Sequence, residues 1–183
     1  GAAVAWCLIQ GIIKKDLVQE LLQFVALATV CDLIPLVGLG RAFVYEGLKV
    51  LNRTTNLGLL ALINEAGIKL GNIGSYEIGF ILGPRLNAIG RLEHAIEALR
   101  LLCTKDVTKA RNLARLLNET NATRQKMTAS AIEEAKLLID VNKKVHVLSS
   151  KAWSMGIIGL IAGKISDEYY RPTIAISITR TKN

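Results

Sequence analysis

Histidine and cysteine are scarce in this chain, at two and three among 183 residues. There is no Cys-x-x-Cys pair, and no histidine stands at ligand spacing from a cysteine. Cys7, Cys31 and Cys103 therefore read as reduced, mostly buried thiols of a cytoplasmic protein. His94 and His146 have no partner at metal or nucleophile spacing, which excludes a Ser/His/Asp or Cys/His hydrolase. A phosphate-binding Gly-x-x-x-x-Gly-Lys-Ser/Thr loop is absent, as are internal repeats and low-complexity stretches. No apolar run is long enough to span a bilayer. The opening "AAVAWCLIQGII" is too short, lacks a basic flank and an A-x-A cleavage site, and reads as a buried helix. No helix pairs a basic face with a large apolar face and aromatic anchors, so a membrane surface is a poor partner. The chain does not begin with Met, and its first turn already reads as fold interior, so a piece of a longer protein is expected.

What is present is apolar and basic. The chain is 51% hydrophobic, enough for a sizeable core, and carries 23 Lys and Arg against 15 Asp and Glu, a formal charge of +8. That excess favours a polyanion, nucleic acid above all.

The apolar pattern predicts buried helices over 2–13 and 16–31; residues 24–36, apolar apart from Asp32 and two small polar groups and ended by Pro35, fit helix or strand by periodicity alone, with helix preferred. Residues 38–52 read as a turn and an amphipathic helix with Ala42, Tyr45, Leu48 and Leu51 on one side. A helix over 57–67 closes on a glycine, and one over 75–83 starts with Ser75 as N-cap and is stopped by Pro84. After a helix over 92–103, Thr104 caps a long helix over 105–140 that no Gly or Pro interrupts. Its stripe runs Ala110, Leu113, Leu117, Thr120, Arg124, Met127, Ala131, Ala135, Leu138, and its length suggests a strut between domains. Beyond Asp140 the pattern changes to strand (144–150), glycine-bearing helix (156–170) and β-branched strand (171–178), a β-α-β unit.

Three features can carry chemistry. Asp32, a lone carboxylate in apolar surroundings, is either a turn or cap group ahead of Pro35 or a metal ligand. In "ILGPRLNAIGR", Pro84 makes a loop in which Arg85, Asn87 and Arg91 face one way. They either grip phosphate oxygens, which suit guanidinium forks, or form a structural network with Glu77 or Glu93. In "SSKAWSMGIIGLIAGK", Ser149, Ser150, Lys151 and amides near Gly156 gather at a helix start, an anion site. Its glycines equally suit close packing, and Trp153 is either a stacking platform or a core residue.

Taken in order, "FVALATVCDLIPL", "GRAFVYEGLKVLN", "GFILGPRLNAIGR", the long helix and "WSMGIIGLIAGKISDEYYRPTIAIS" resemble the RecJ family. These are bacterial single-strand-specific 5′→3′ DNA exonucleases of the DHH phosphoesterase superfamily, and "GPRLNAIGR" is the most diagnostic block. The resemblance implies an α/β fold in three parts: a helix-rich C-terminal part of a DHH catalytic domain (1–103), a long interdomain helix (104–140), and the N-terminal part of a DHHA1-type nucleic-acid-binding domain (141–183). It implies two-metal hydrolysis with two Mn²⁺ or Mg²⁺ ions, Asp32 being one metal ligand and hence catalytic. Arg85, Asn87, Arg91, Trp153, Ser154 and Lys164 would bind nucleic acid. Two departures stand out: relatives carry His at Ser154, and Ser-Arg at Gly163-Lys164. Single-stranded DNA is the implied substrate, in repair and recombination, with a single-stranded-DNA-binding protein and a helicase as partners. The other ligand motifs would lie upstream, so the piece alone is expected to be inactive. Another DHH phosphodiesterase, acting on short oligonucleotides or cyclic dinucleotides, and a non-catalytic nucleic-acid-binding relative remain as alternatives.

Overall fold

The computed structural model describes residues 1–92 and 94–178. Helices α1 (Ala2–Ile9), α2 (Lys15–Glu20), α3 (Leu22–Cys31), α4 (Gly38–Leu51) and α5 (Leu57–Glu65) lead to a π-helical turn, Glu77–Leu82. That turn runs directly into α6 (Gly83–Leu92), followed by α7 (Ile96–Cys103) and α8 (Val107–Leu137). Strand β1 (His146–Ser150), helix α9 (Ile158–Tyr169) and strand β2 (Thr173–Ser177) complete a helix-rich α/β structure. The two strands pair in parallel, His146 opposite Thr173 and Ser150 opposite Ser177. Parallel neighbours need a crossover, and α9 supplies it.

Two hydrophobic clusters form. In the larger, Leu51, Leu59, Leu62, Ile78, Leu82, Ile89 and Leu101 pack around the first half of α8, at Ala110, Leu113, Ala114 and Leu117. The smaller joins Ala131 and Ala135, from the second half of α8, to Leu148, Trp153, Ile157, Ile161 and Ile165. Helix α8 belongs to both. Its 31 residues span roughly 46 Å at 1.5 Å per residue. Asp106, not Thr104, is its N-cap, its carboxylate accepting from Lys109 N at 3.0 Å. Thr104 Oγ1 accepts from Asp106 N one step earlier.

Several expectations are corrected. Helix α1 buries no residue; its main anchor is Trp6, whose indole N–H donates to Val18 O at 2.6 Å and whose ring meets Phe43 edge-on. Cys7 and Cys103 are exposed, and Cys31 is half-buried against the larger cluster. Helix α3 ends at Cys31, before Pro35. Asp32 is its C-cap, its amide bonding back to Ala28 and Val30 carbonyls, and Leu33 at φ 53° turns the chain away. On α4 the buried face is Val44, Gly47 and Leu51, whereas Tyr45 is exposed. The approach of α3 decides this: a side chain at Gly47 would collide with Ala26 Cβ and Leu22 O, so the closest face must carry a glycine.

The largest difference lies at Pro84. It does not stop the helix. Gly83 N–H bonds to Ile78 O five residues back, the signature of a π turn. Proline obstructs an α-helix because its ring strikes the carbonyl four residues back and its nitrogen donates nothing. A widened turn just before Pro84 relieves that crowding, and Pro84 then occupies the first turn of α6, where a missing N–H costs least. The run begins after Gly74, whose amide donates to Glu77 Oε2 at 2.8 Å. A glutamate reaching back to the N-cap amide is half of a capping box, so Gly74 and not Ser75 is the cap.

Candidate nucleic-acid interface

Because Pro84 starts a helix turn, Arg85, Asn87 and Arg91 are presented by α6 and not by a loop. Six residues separate Arg85 from Arg91, which at 100° per residue puts them on different faces. Arg85 is half-buried and fixed: Nε donates to Asn118 Oδ1 at 2.9 Å and an Nη to Ile81 O at 2.8 Å. Asn118, on α8, donates in turn to Glu65 Oε1 at 3.2 Å. One edge of the guanidinium is thereby held, leaving donors to spare among the five N–H groups. Glu77 is not its partner, being engaged as a cap, and Glu93 lies outside the described residues. Asn87 is exposed.

Arg91 reaches across to the second cluster. Its Nη donates to Gly156 O at 3.3 Å. A Cβ at Gly156 would overlap Arg91 O and stand 2.8 Å from Arg91 C, so only glycine permits the end of α6 to dock here. Ser154, two residues earlier, is half-buried with a buried hydroxyl that has no partner among the described residues. Arg91, Ser154 and Gly156 thus meet at the junction of the two clusters.

Trp153 takes no part in that surface. It is 2% exposed, within the smaller cluster, and its indole N–H donates to Glu134 Oε2 at 3.0 Å. A buried ring has no face left to stack on a base, so the stacking role is corrected to a core role. Ser150 Oγ donates to the same carboxylate at 2.7 Å, and Ser177 Oγ to Trp153 O at 2.6 Å. These bonds fasten the Ser150–Ile157 connection to α8 and β2. They also take Ser150 away from the expected anion site at the start of α9. Lys164 is exposed on α9, apart from these contacts.

Asp32 is exposed at the end of α3. It sits beside Cys31, whose thiol is pushed up by burial and, secondarily, by the Asp32 charge. Among the described residues no three His, Cys, Asp or Glu side chains converge as a metal site. A two-cation centre needs several converging donors. The described donors do not make one by themselves, and Asp32 supplies a single carboxylate.

Arg124, on α8, escaped the sequence reading as a site residue. It is half-buried near Arg91, its Nε is buried without a partner among the described residues, and its pKa is lowered by burial and then by Arg91. The available signal was its place on the apolar stripe of α8, where an arginine is out of character.

No family model matches the chain. Among curated proteins, it is 36% identical over 185 residues to the single-stranded-DNA-specific exonuclease RecJ of Bacillus subtilis, covering 100% of this chain and 23% of that protein. It is 35% identical over 166 residues to the RecJ of Haemophilus influenzae, covering 86% of this chain and 29% of that one. The Mg²⁺ complex of Thermus thermophilus RecJ superposes with a TM-score of 0.84 at 31% identity, over 94% of this chain and 27% of the other. Over its whole length in sequence and 94% of it in fold, the chain is similar to RecJ exonucleases. A RecJ structure bound to manganese agrees, with a TM-score of 0.80 at 32% identity over 87% of this chain and 40% of that one. The chain spans less than a third of the length of the curated RecJ proteins it matches, between 23% and 31%.

Proposed function

We propose that this chain is the strand-holding middle of a single-stranded-DNA-specific exonuclease that hydrolyses phosphodiester bonds from the 5′ end. The observation that carries the reading is the match to RecJ, over the whole chain in sequence and over 94% of it in fold. The basic junction is its physical counterpart. Arginines held at one edge, as Arg85 is by Asn118 and Ile81, keep their remaining donors aimed without further ordering. Phosphate contacts of this kind position a strand without reading its sequence. Residues 1–103 would close the catalytic domain, with Asp32 giving one ligand to a divalent cation held mainly by residues outside this chain. Residues 104–140 would join it to a nucleic-acid-binding domain beginning at 141. Arg85, Asn87, Arg91, Ser154 and Lys164 would contact DNA. Roles in repair and recombination, a cytoplasmic location, and a single-stranded-DNA-binding protein and helicase as partners rest on family resemblance alone.

The test uses the full-length protein with Mn²⁺ and end-labelled single- or double-stranded DNA, beside Asp32→Ala and Arg85→Ala. The proposal expects single strands to shorten from the 5′ end, no cleavage by Asp32→Ala, and weakened binding by Arg85→Ala. Consumption of short oligonucleotides or cyclic dinucleotides in place of long strands would replace it with another DHH activity. Binding without hydrolysis would leave a non-catalytic relative.

A further inference from the structure

Helix α8 buries Asn121 and Ala131 but nothing fully between them. The larger hydrophobic cluster ends before this stretch, and the smaller reaches into it only through half-buried Met127. Arg124 sits in the gap. A guanidinium nitrogen out of water normally has an acceptor, because leaving a charged donor unpaired is costly. Here Arg124 Nε has none among the described residues, and its nearest charged influence is a second cation, Arg91. On the far side of Arg91 lies the Ser154–Gly156 turn, joined to it by the 3.3 Å bond to Gly156 O. The hydroxyl of Ser154 is likewise buried and unpartnered among the described residues. Two like charges and an unused hydroxyl donor at one junction, with no ion pair to either arginine among the described residues, call for an acceptor-rich anion.

We propose that Arg124, with Arg91 and Ser154, forms a seat for one phosphate group of a DNA single strand, bridging the two hydrophobic clusters through the long helix. The inference rests on the single-strand reading above and adds a residue of α8 to it. A phosphate supplies acceptor oxygens on several sides, and so can take Arg124 Nε–H, an Arg91 Nη and the Ser154 hydroxyl together. Without the anion, two arginines repel and one is partly stripped of water, so the seat is costly to the fold by itself. Groups held for binding at the expense of stability behave in this way.

That opposition gives the test. In the full-length protein, Arg124→Met keeps the stem's packing and removes the charge. Binding of a labelled oligo-dT is measured across a salt series, with and without a 5′-phosphate, beside thermal midpoints of the DNA-free proteins; Ser154→Ala is a second variant. Arg124→Met is expected to weaken binding about tenfold to a hundredfold, the loss of a charged hydrogen-bonding group. It should also flatten the log–log salt slope by about 0.7, one phosphate contact on a single strand. Its DNA-free midpoint should hold or rise. Ser154→Ala should weaken binding less and leave the slope unchanged. Equal losses on both oligonucleotides assign the seat to a backbone phosphate, and a loss confined to the 5′-phosphorylated strand assigns it to the terminal phosphate. A lowered midpoint would show that the fold itself holds Arg124 and would overturn the inference. So would an unchanged affinity and slope while the unaltered protein binds DNA, with the single-strand reading left standing. If the unaltered protein binds no single strand, that reading fails first and the inference with it.

Discussion

Gly156→Ala is the smallest change that probes how the two clusters are joined. It adds one methyl group at a point where the end of α6 lies directly on the turn before α9. The new Cβ would overlap Arg91 O and lie 2.8 Å from Arg91 C, whereas real Cβ atoms stay beyond 3.0 Å. Both obstructing atoms are backbone, so no rotamer change relieves them, and the turn or the helix end must move. Overpacking of this kind costs about 1–3 kcal/mol. Loss of the exposed Arg91–Gly156 hydrogen bond adds about 0.5–1 kcal/mol at most. In a chain of this size each kcal/mol lowers the melting midpoint by roughly 2–4 °C. Calorimetry is the suitable assay, because the change should fall on the docking of the Trp153 cluster and leave the larger one intact. Single-strand affinity should fall in parallel, since Arg91 and Ser154 separate. An unchanged midpoint together with unchanged affinity would refute the account, showing that the junction tolerates the shift and that its close approach has no energetic role.

Two further predictions concern buried groups. Glu134→Gln turns one of two acceptor oxygens, shared between Trp153 Nε1 and Ser150 Oγ, into a donor. It should destabilise the smaller cluster by about 1–3 kcal/mol, the cost of a buried donor left unsatisfied, and denaturant unfolding followed by Trp153 fluorescence would report it. Cys31 should alkylate more slowly than Cys7 or Cys103 at pH 8, read by mass spectrometry. Burial and then the Asp32 charge raise its thiol pKa, so less thiolate is present, and the access is poorer. Because the folded pKa is raised, the linked stability is complete below the unfolded thiol's pKa and is lost as pH rises through the folded one. Asp32→Asn should narrow the difference in alkylation rate by removing the charge.

The β-α-β unit was readable because alternation and β-branching mark both strands and only one helix lies between them. The long helix was readable too, since nothing in it breaks the apolar step from Ala110 to Ala135. What could not be read depended on neighbours distant in sequence. The exposure of Tyr45 follows from which face of α4 meets α3, a choice made at Gly47 against Leu22 and Ala26. Pro84 signals a stop by every local rule, and the π turn that overrides it is not encoded by any residue preference near it. Trp153 is an ambiguous letter until Glu134, on a separate helix, accepts its N–H. For the site, the sequence picked out Arg85, Asn87 and Arg91 but presented them wrongly. It passed over Arg124 as a site residue although an arginine on the apolar stripe of α8 was itself a signal.

The π turn also explains how Asp32 and Arg85 come to share one local framework. Glycine at position 83 leaves room for α3: a Cβ there would stand 2.6 Å from Cys31 Sγ and 2.8 Å from Ile78 O. Cys31 immediately precedes Asp32, and Gly83 stands two residues before Arg85. The carboxylate at the end of α3 and the arginine at the start of α6 therefore hang from a single close contact. On its other side, Arg85 is braced by Asn118 of α8, the helix that continues to Arg124 and on to Glu134. A displacement at the Trp153 cluster has a continuous helix through which to reach Arg85. A displacement at Arg85 meets Gly83 and Cys31 before it reaches Asp32. The arrangement holds the expected metal ligand and the expected phosphate contacts on packed helices, and rigid placement is what positioning a strand for hydrolysis requires.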